Sequence, residues 1–225
     1  MTTDRFPKTS LPRLARRNVL VMGLALAALG GRGALADVAP GLILSDEDMA
    51  DIRRVEEYLN AIHSMQTRFQ QYSANGGLAW GTISLVRPGR LRVEYDPPVP
   101  ALLVADGYVV TYYDSELDQT SQLPLESTPA WFLLRETVSL TEGVTLTAIE
   151  RAPGALRIAM FQTDDPDAGA VSLIFSDNPL TLRQWTMVDG SGQEVRVGLD
   201  RTSIGVELSN DLFATPRTRR RSGDN

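Results

Sequence analysis

Two hydrophobic periods divide the chain. From Asp46 onward, Met49, Ile52, Val55, Leu59, Ile62 and Met65 recur at intervals of three or four. That spacing lines one face of a helix and predicts an amphipathic helix over 46–71, with Phe69 either extending the face or opening the first strand. Ser45 suits its N-cap, and Asp46, Glu47 and Asp48 suit the positive end of its dipole. Gly76-Gly77 closes the region. From Leu78 the period falls to two, broken by Gly, Pro, Asp and Asn. This pattern predicts strands over 78–86, 90–95, 101–105, 108–114, 119–124, 144–151, 156–162, 170–175, 180–188 and 194–200.

The turns between these strands have recognisable chemistry. Pro88-Gly89 suits a tight turn, because Pro fixes φ and Gly accepts a positive one. Asp106-Gly107 is a two-residue hairpin signal. A short helix is expected over 128–135, with Thr128 as N-cap and Pro129 at the first helical position. Its Trp131, Phe132, Leu133 and Leu134 are consecutive large apolar residues. The fold class expected is therefore α+β, mainly β: one long helix, ten antiparallel strands in meander order and one short helix. So many short strands with so little helix imply a strongly curved antiparallel sheet with helices filling its concave side.

The ends of the chain read differently. Arg5, Lys8, Arg13, Arg16 and Arg17 precede an apolar run over 19–29, and Ala34-Leu35-Ala36 fits a cleavage site. Residues 1–36 therefore read as an export signal, too short in its apolar part to span a bilayer. Arg16-Arg17-Asn18-Val19-Leu20 fits a twin-arginine signal and an ordinary signal alike. The expected domain is 37–214, and the basic stretch 215–225 is expected to be a disordered tail. The leader holds six basic residues and one acid, so removing it moves the net charge from −6 to −11. A surface this acidic argues against nucleic acid as a partner.

Candidate chemistry is sparse. There is no cysteine, no lysine after Lys8, and His63 is the single histidine. Thiol, Schiff-base and Ser–Lys catalysis are thus excluded beyond the leader, and no G-x-S-x-G occurs. Asp164, Asp165 and Asp167 miss the spacing of a calcium loop. The reading is of a protein that is not an enzyme, with no catalytic residue, metal or cofactor. What remains is apolar surface. Leu91, Val93 and Tyr95 share one strand face, and 101–105 is apolar on both. A plain core and an internal cavity account for these positions equally well.

One stretch carries more. Arg87-Pro88-Gly89 followed by Arg92-Val93-Glu94-Tyr95 resembles the periplasmic lipoprotein carrier family, LolA. The resemblance runs from about Tyr58 to Pro216 through Phe69-Gln70, Gly81, Pro97, Asp106-Gly107, Tyr113-Asp114, Leu117-Asp118-Gln119 and Thr128-Pro129. It implies an incomplete β-barrel with helices as a lid over an apolar cavity. Arg87 would hydrogen-bond to the lid and hold the empty cavity closed. Leu91, Val93, Tyr95 and Leu103 would contribute lining, and Trp131, Phe132, Leu133 and Leu134 the lid. Many members carry an aromatic residue where this chain has Val93. The implied function is a monomeric periplasmic carrier of acylated lipoproteins. It would load at an inner-membrane lipoprotein-releasing ABC transporter complex and deliver to the outer membrane, where an acceptor exists in some members. A periplasmic lipid- or lipoprotein-sensing module of the same fold is the alternative.

Overall fold

Helical spacing ends eleven residues earlier in three dimensions than along the sequence. A computed structural model of the chain describes residues 42–128 and 131–215, without the side chain of Phe132. The leader, Pro129 and the tail from Pro216 lie outside these residues. Helix α1 spans Asp46–Asn60 rather than 46–71. Ser45 caps it in a reciprocal box with Asp48, each side chain meeting the other's backbone N–H. The chain then turns at Ala61–His63 and enters strand β1, Ser64–Ser73, where continued helix was expected.

The reason is visible in β1 itself. Its buried positions are Met65, Thr67, Phe69 and Gln71, a period of two. Two of the four are polar, which hides the alternation, while Met65 and Phe69 fall four apart and mimic the helical period. Burial is tolerated because the polar atoms are satisfied. Thr67 Oγ1 lies 3.0 Å from the Asp200 carbonyl and 2.8 Å from Thr202 Oγ1. Gln71 Oε1 accepts from the Tyr95 hydroxyl at 2.7 Å. The Phe69 ring lies across Gly81, where an added Cβ would stand 2.5 Å from it.

The remaining strands are β2 Leu78–Val86, β3 Arg90–Tyr95, β4 Ala101–Asp106, β5 Val109–Asp114, β6 Gln119–Pro124, β7 Val144–Ala152, β8 Ala155–Gln162, β9 Gly169–Ser176, β10 Thr181–Asp189 and β11 Glu194–Ile204. Eleven strands, one more than expected, form a single sheet in the order β6-β5-β4-β3-β2-β1-β11-β10-β9-β8-β7. Every neighbouring pair is antiparallel, and β6 and β7 are never paired with each other. The sheet is thus curved and open. The short helix α2 is Trp131–Leu134, a single turn where about two were expected.

Two cores fill the concave side. Helix α1 buries Ile52, Val55 and Leu59 among Leu156, Ile158, Leu173 and Phe175 of β8 and β9. The other core joins Phe69, Ile83, Val93, Tyr95 and Leu103 from β1–β4 to Leu134 of α2. Tyr58, Trp131 and Trp185 pack against both. Polar contacts fix α1 in place: Arg151 of β7 reaches Asp48 at 2.8 Å and Asp51 at 2.7 Å. Asn60 clasps both backbone groups of Val138, at 2.8 and 2.9 Å, and Glu56 accepts from the Leu140 N–H at 2.6 Å. On the convex side Asn210–Phe213 crosses β3 and β4, with the Arg90 guanidinium 5.6 Å from the Phe213 ring centre. That cover explains how 101–105 can be apolar on both faces, with Val104 as fully buried as Ala105.

The capping box makes the fold's acid sensitivity predictable. The Ser45 side chain, the Ser45 backbone and Arg151 together hold the Asp48 carboxyl down at about 2, against an ordinary 3.8. A carboxyl depressed by folding stabilises above its unfolded value and loses that contribution as pH falls through the folded one. Wild type is therefore expected to melt above Asp48→Asn at neutral pH, with the gap closing between pH 3.8 and about 2. Thermal unfolding followed by circular dichroism across that range checks it. A gap that stays constant would remove the carboxylate's role.

Candidate binding cavity

The two cores do not close completely on each other. Between them lies a cavity with about 710 Å³ of unoccupied space, its open mouth included. Its fourteen lining residues include one charged side chain, Arg87. Leu59 and Ile62 come from the end of α1, Met65 from β1, Ile83 and Leu85 from β2, and Leu91 and Val93 from β3. Leu133 and Leu134 of α2 roof it, and Val171 of β9 with Leu182, Trp185 and Met187 of β10 complete the wall.

Local sequence places these groups. Arg87, Pro88 and Gly89 form the β2–β3 turn, with Gly89 at φ 73°. The hairpin puts Ile83 opposite Val93 and Leu85 opposite Leu91, all on the cavity face. In β10 a register shift between Leu182 and Gln184 adds one residue. Such a bulge reverses the facing of the later strand positions, so Leu182 and Trp185 line the same wall although three apart.

Arg87 ties the surrounding elements together. Its Nε donates to the Leu133 carbonyl at 2.7 Å, and its Nη1 donates to the Leu59 carbonyl. Its backbone N–H reaches the His63 carbonyl at 2.8 Å, and the Gly89 N–H reaches Leu134 at 2.8 Å. Leu59 belongs to the last turn of α1, which holds no basic residue, and its carbonyl also accepts from the Ile62 N–H at 3.2 Å. Among the described residues no carboxylate pairs with Arg87. Burial alone pushes its guanidinium down to about 10 from an ordinary 12.5.

Of the residues expected at the site, the structure brings together Arg87, Leu91, Val93, Leu133 and Leu134. Tyr95 and Leu103 lie in the adjoining core and are not among the residues that line the cavity. Tyr95 packs edge-on against Phe69, ring centres 5.2 Å apart, and its buried hydroxyl is held by Gln71. Leu103 sits opposite Val93 in the sheet and is covered there, 2% exposed. Trp131 lines a neighbouring smaller pocket instead, under the Arg135 guanidinium at 4.9 Å. The side chain of Phe132 lies outside the described residues. Leu59, Ile62, Met65, Ile83, Leu85, Val171, Leu182, Trp185 and Met187 were not anticipated. For Ile83 and Leu85 the signal was present, because the Pro88-Gly89 turn fixes their register with Val93 and Leu91. For β10 the bulge conceals it.

The model of the family described as outer membrane lipoprotein carrier protein LolA matches residues 60–216, more than half of the chain. The chain belongs to the LolA family. An outer-membrane lipoprotein carrier protein of Azotobacter vinelandii is 28% identical over 189 residues, covering 80% of this chain and 88% of that protein. The Pseudomonas aeruginosa protein of the same name is 28% identical over 173 residues, covering 72% and 82%. Among solved structures, a LolA superfamily protein of Nitrosomonas europaea covers 73% of this chain and 97% of its own, at 10% identity and a TM-score of 0.43.

In this LolA family member the turn that carries Arg87 has no spare room. A Cβ on Gly89 would stand 2.4 Å from the Cα of Gly107 in the β4–β5 turn. Gly89→Ala must therefore separate the two turns as well as accept a positive φ. We expect it to destabilise the protein by about 1–3 kcal/mol, read as a lower urea midpoint with an unchanged slope. An unchanged midpoint would show that the turns yield freely.

Proposed function

We propose that this protein is a periplasmic carrier that shelters the acyl chains of lipoproteins in the cavity and moves them from the inner to the outer membrane. The observation that supports the reading best is an apolar cavity whose roof is fastened by one buried cation bonded to main-chain oxygens. An acyl chain in water costs about 0.8 kcal/mol for each exposed CH₂, on the order of 10 kcal/mol for a long chain. A carrier has to offset most of that and still let go.

The proposed latch suits the task. Arg87 bonds to Leu133 only while α2 sits over the cavity, whereas its bond to Leu59 is anchored on α1. Hydrogen bonds to a charged donor are worth about 1.5–3 kcal/mol each. Lifting α2 loses the bonds from Arg87 to Leu133 and from Gly89 to Leu134 but uncovers the desolvated guanidinium to water, so an entering acyl chain can displace the roof. Here Leu91 and Val93 receive the chain, and Leu133 and Leu134 are the parts of the lid that move. Residues 1–36 serve as the export signal, 37–214 as the carrier domain and 215–225 as a basic tail. The carrier is monomeric, loads at an inner-membrane lipoprotein-releasing ABC transporter complex and unloads at the outer membrane. It binds its cargo without chemical change.

Native mass spectrometry of the protein isolated from the periplasm tests this. Acylated polypeptide is expected to co-purify with wild type. Arg87→Leu removes the bond to Leu133 that is made only in the closed empty form, so it shifts the balance toward the loaded one. The loaded fraction is expected to rise on the order of tenfold relative to the empty one. No acylated ligand on either protein would sink the carrier reading, and equal loading would sink the latch.

A further inference from the structure

A second, smaller space adjoins the cavity at the end of the sheet away from Arg87. It has about 270 Å³ of unoccupied volume, its mouth included, and shares Val171 with the main cavity. Trp131, Met160, Gln162 and Gly169 are among its walls. One helix therefore roofs both spaces: α2 puts Trp131 on the small one and Leu133 and Leu134 on the large one. Gln162, the last residue of β8, has its Oε1 buried with no hydrogen-bond partner among the described residues. A buried acceptor without a donor is uncommon and costly, and it calls for an explanation.

We propose that Gln162 is the acceptor for an amide N–H of the cargo, at the junction where acyl chains meet peptide. The small pocket seats that junction while the main cavity holds the chains. The inference rests on the carrier reading above. Its chemistry follows from the walls. Among the described wall residues Gln162 carries the only side-chain oxygen, and none is charged, which selects a neutral donor. The shared Val171 means that this donor must be attached directly to long apolar groups. An N-acylated amino terminus has that construction.

The closed form leaves the carbonyl unbonded, and a ligand beneath a raised α2 satisfies it. Gln162 thus works against Arg87. Arg87 makes its bonds in the closed empty state, and Gln162 lacks one there. A residue that gains only in the loaded state shifts the equilibrium toward it. Trp131 is the moving wall, steadied by Arg135, which itself donates to the Glu142 carbonyl at 3.3 Å.

The test compares two probes on the purified protein: a synthetic triacylated cysteinyl peptide, and diphenylhexatriene, which is apolar and has no donor. Gln162→Met keeps the length of the side chain without its carbonyl. It is expected to weaken lipopeptide binding by about two- to tenfold and leave diphenylhexatriene binding unchanged. It should also raise the melting temperature of the empty protein, because an orphaned acceptor has been removed. A merely structural glutamine would lower stability and binding together. Gln162→Leu repeats the measurement should Met pack badly. Lipopeptide affinity equal to wild type, or equal weakening for both probes, would overturn the proposal. If wild type binds neither probe, the carrier reading fails, and this inference with it.

Discussion

The architecture depends on a cation placed where no anion among the described residues meets it. Arg87 enters an apolar cavity and finds only main-chain oxygens, from the last turn of α1 and from α2. A carboxylate here would bring a second charge out of water at a desolvation cost of several kcal/mol. Main-chain carbonyls accept from the guanidinium without that cost. The absence of a basic residue in the last turn of α1 leaves its negative end for Arg87 to use. Because the same three-residue turn also bonds His63 and Leu134 through its backbone, the positions of β2, β3, α1 and α2 are set at one place.

The two halves of the sheet are covered unequally, and this gives the proposed latch something to act on. Over β7–β10, α1 is held by its own buried face, by Arg151 with Asp48 and Asp51, and by the Asn60 clasp on Val138. The chain just after α2 is therefore pinned, with Val138 and Leu140 almost wholly buried. Helix α2 itself is one turn long. Among the described residues its attachments include the buried Leu134, the partly covered Leu133 and Trp131, and the bonds from Arg87 and Gly89. Elements with few such contacts open first. The contrast between a pinned flank and a lightly held turn is why the proposed movement is assigned to α2 rather than to α1.

Much of this was legible in the chain. Strands β2, β3 and β6 fall on the residues that alternation and turn chemistry indicated, because one face of each meets either the core or solvent without interruption. The failures share a cause. Sequence alternation reports facing only where the buried positions are apolar and the ladder is regular. In β1, Thr67 and Gln71 are buried but polar, and their partners lie on β11 and β3, far along the chain. In β10, the extra residue near Arg183 reverses the parity, so Trp185 and Met187 could not be assigned to the wall with Leu182. Tyr95 and Leu103 show a different limit. They share the correct face with Val93, but facing does not say how far along a strand a cavity extends. Arg87 was recognisable from the turn and the family pattern, whereas its two acceptors are backbone atoms that leave no mark in a sequence.

The choice of arginine follows from the same geometry. The chain beyond the leader has no lysine, and many of its other arginines sit beside carboxylates near the surface, such as Arg54 with Asp177 and Arg157 with Glu150. Arg87 has a different task. Its two acceptors belong to different helices, and it reaches them from Nε and Nη1 at once. A planar fork with fixed donor directions can bridge two such carbonyls, while an ammonium is a compact point charge with no preset spacing. The guanidinium is also the less strongly hydrated of the two, so its transfer beside Leu91 and Leu133 costs less. Both properties suit the proposed closure, which must form and open repeatedly. A cation that was hard to desolvate would stay in water and leave the cavity unroofed.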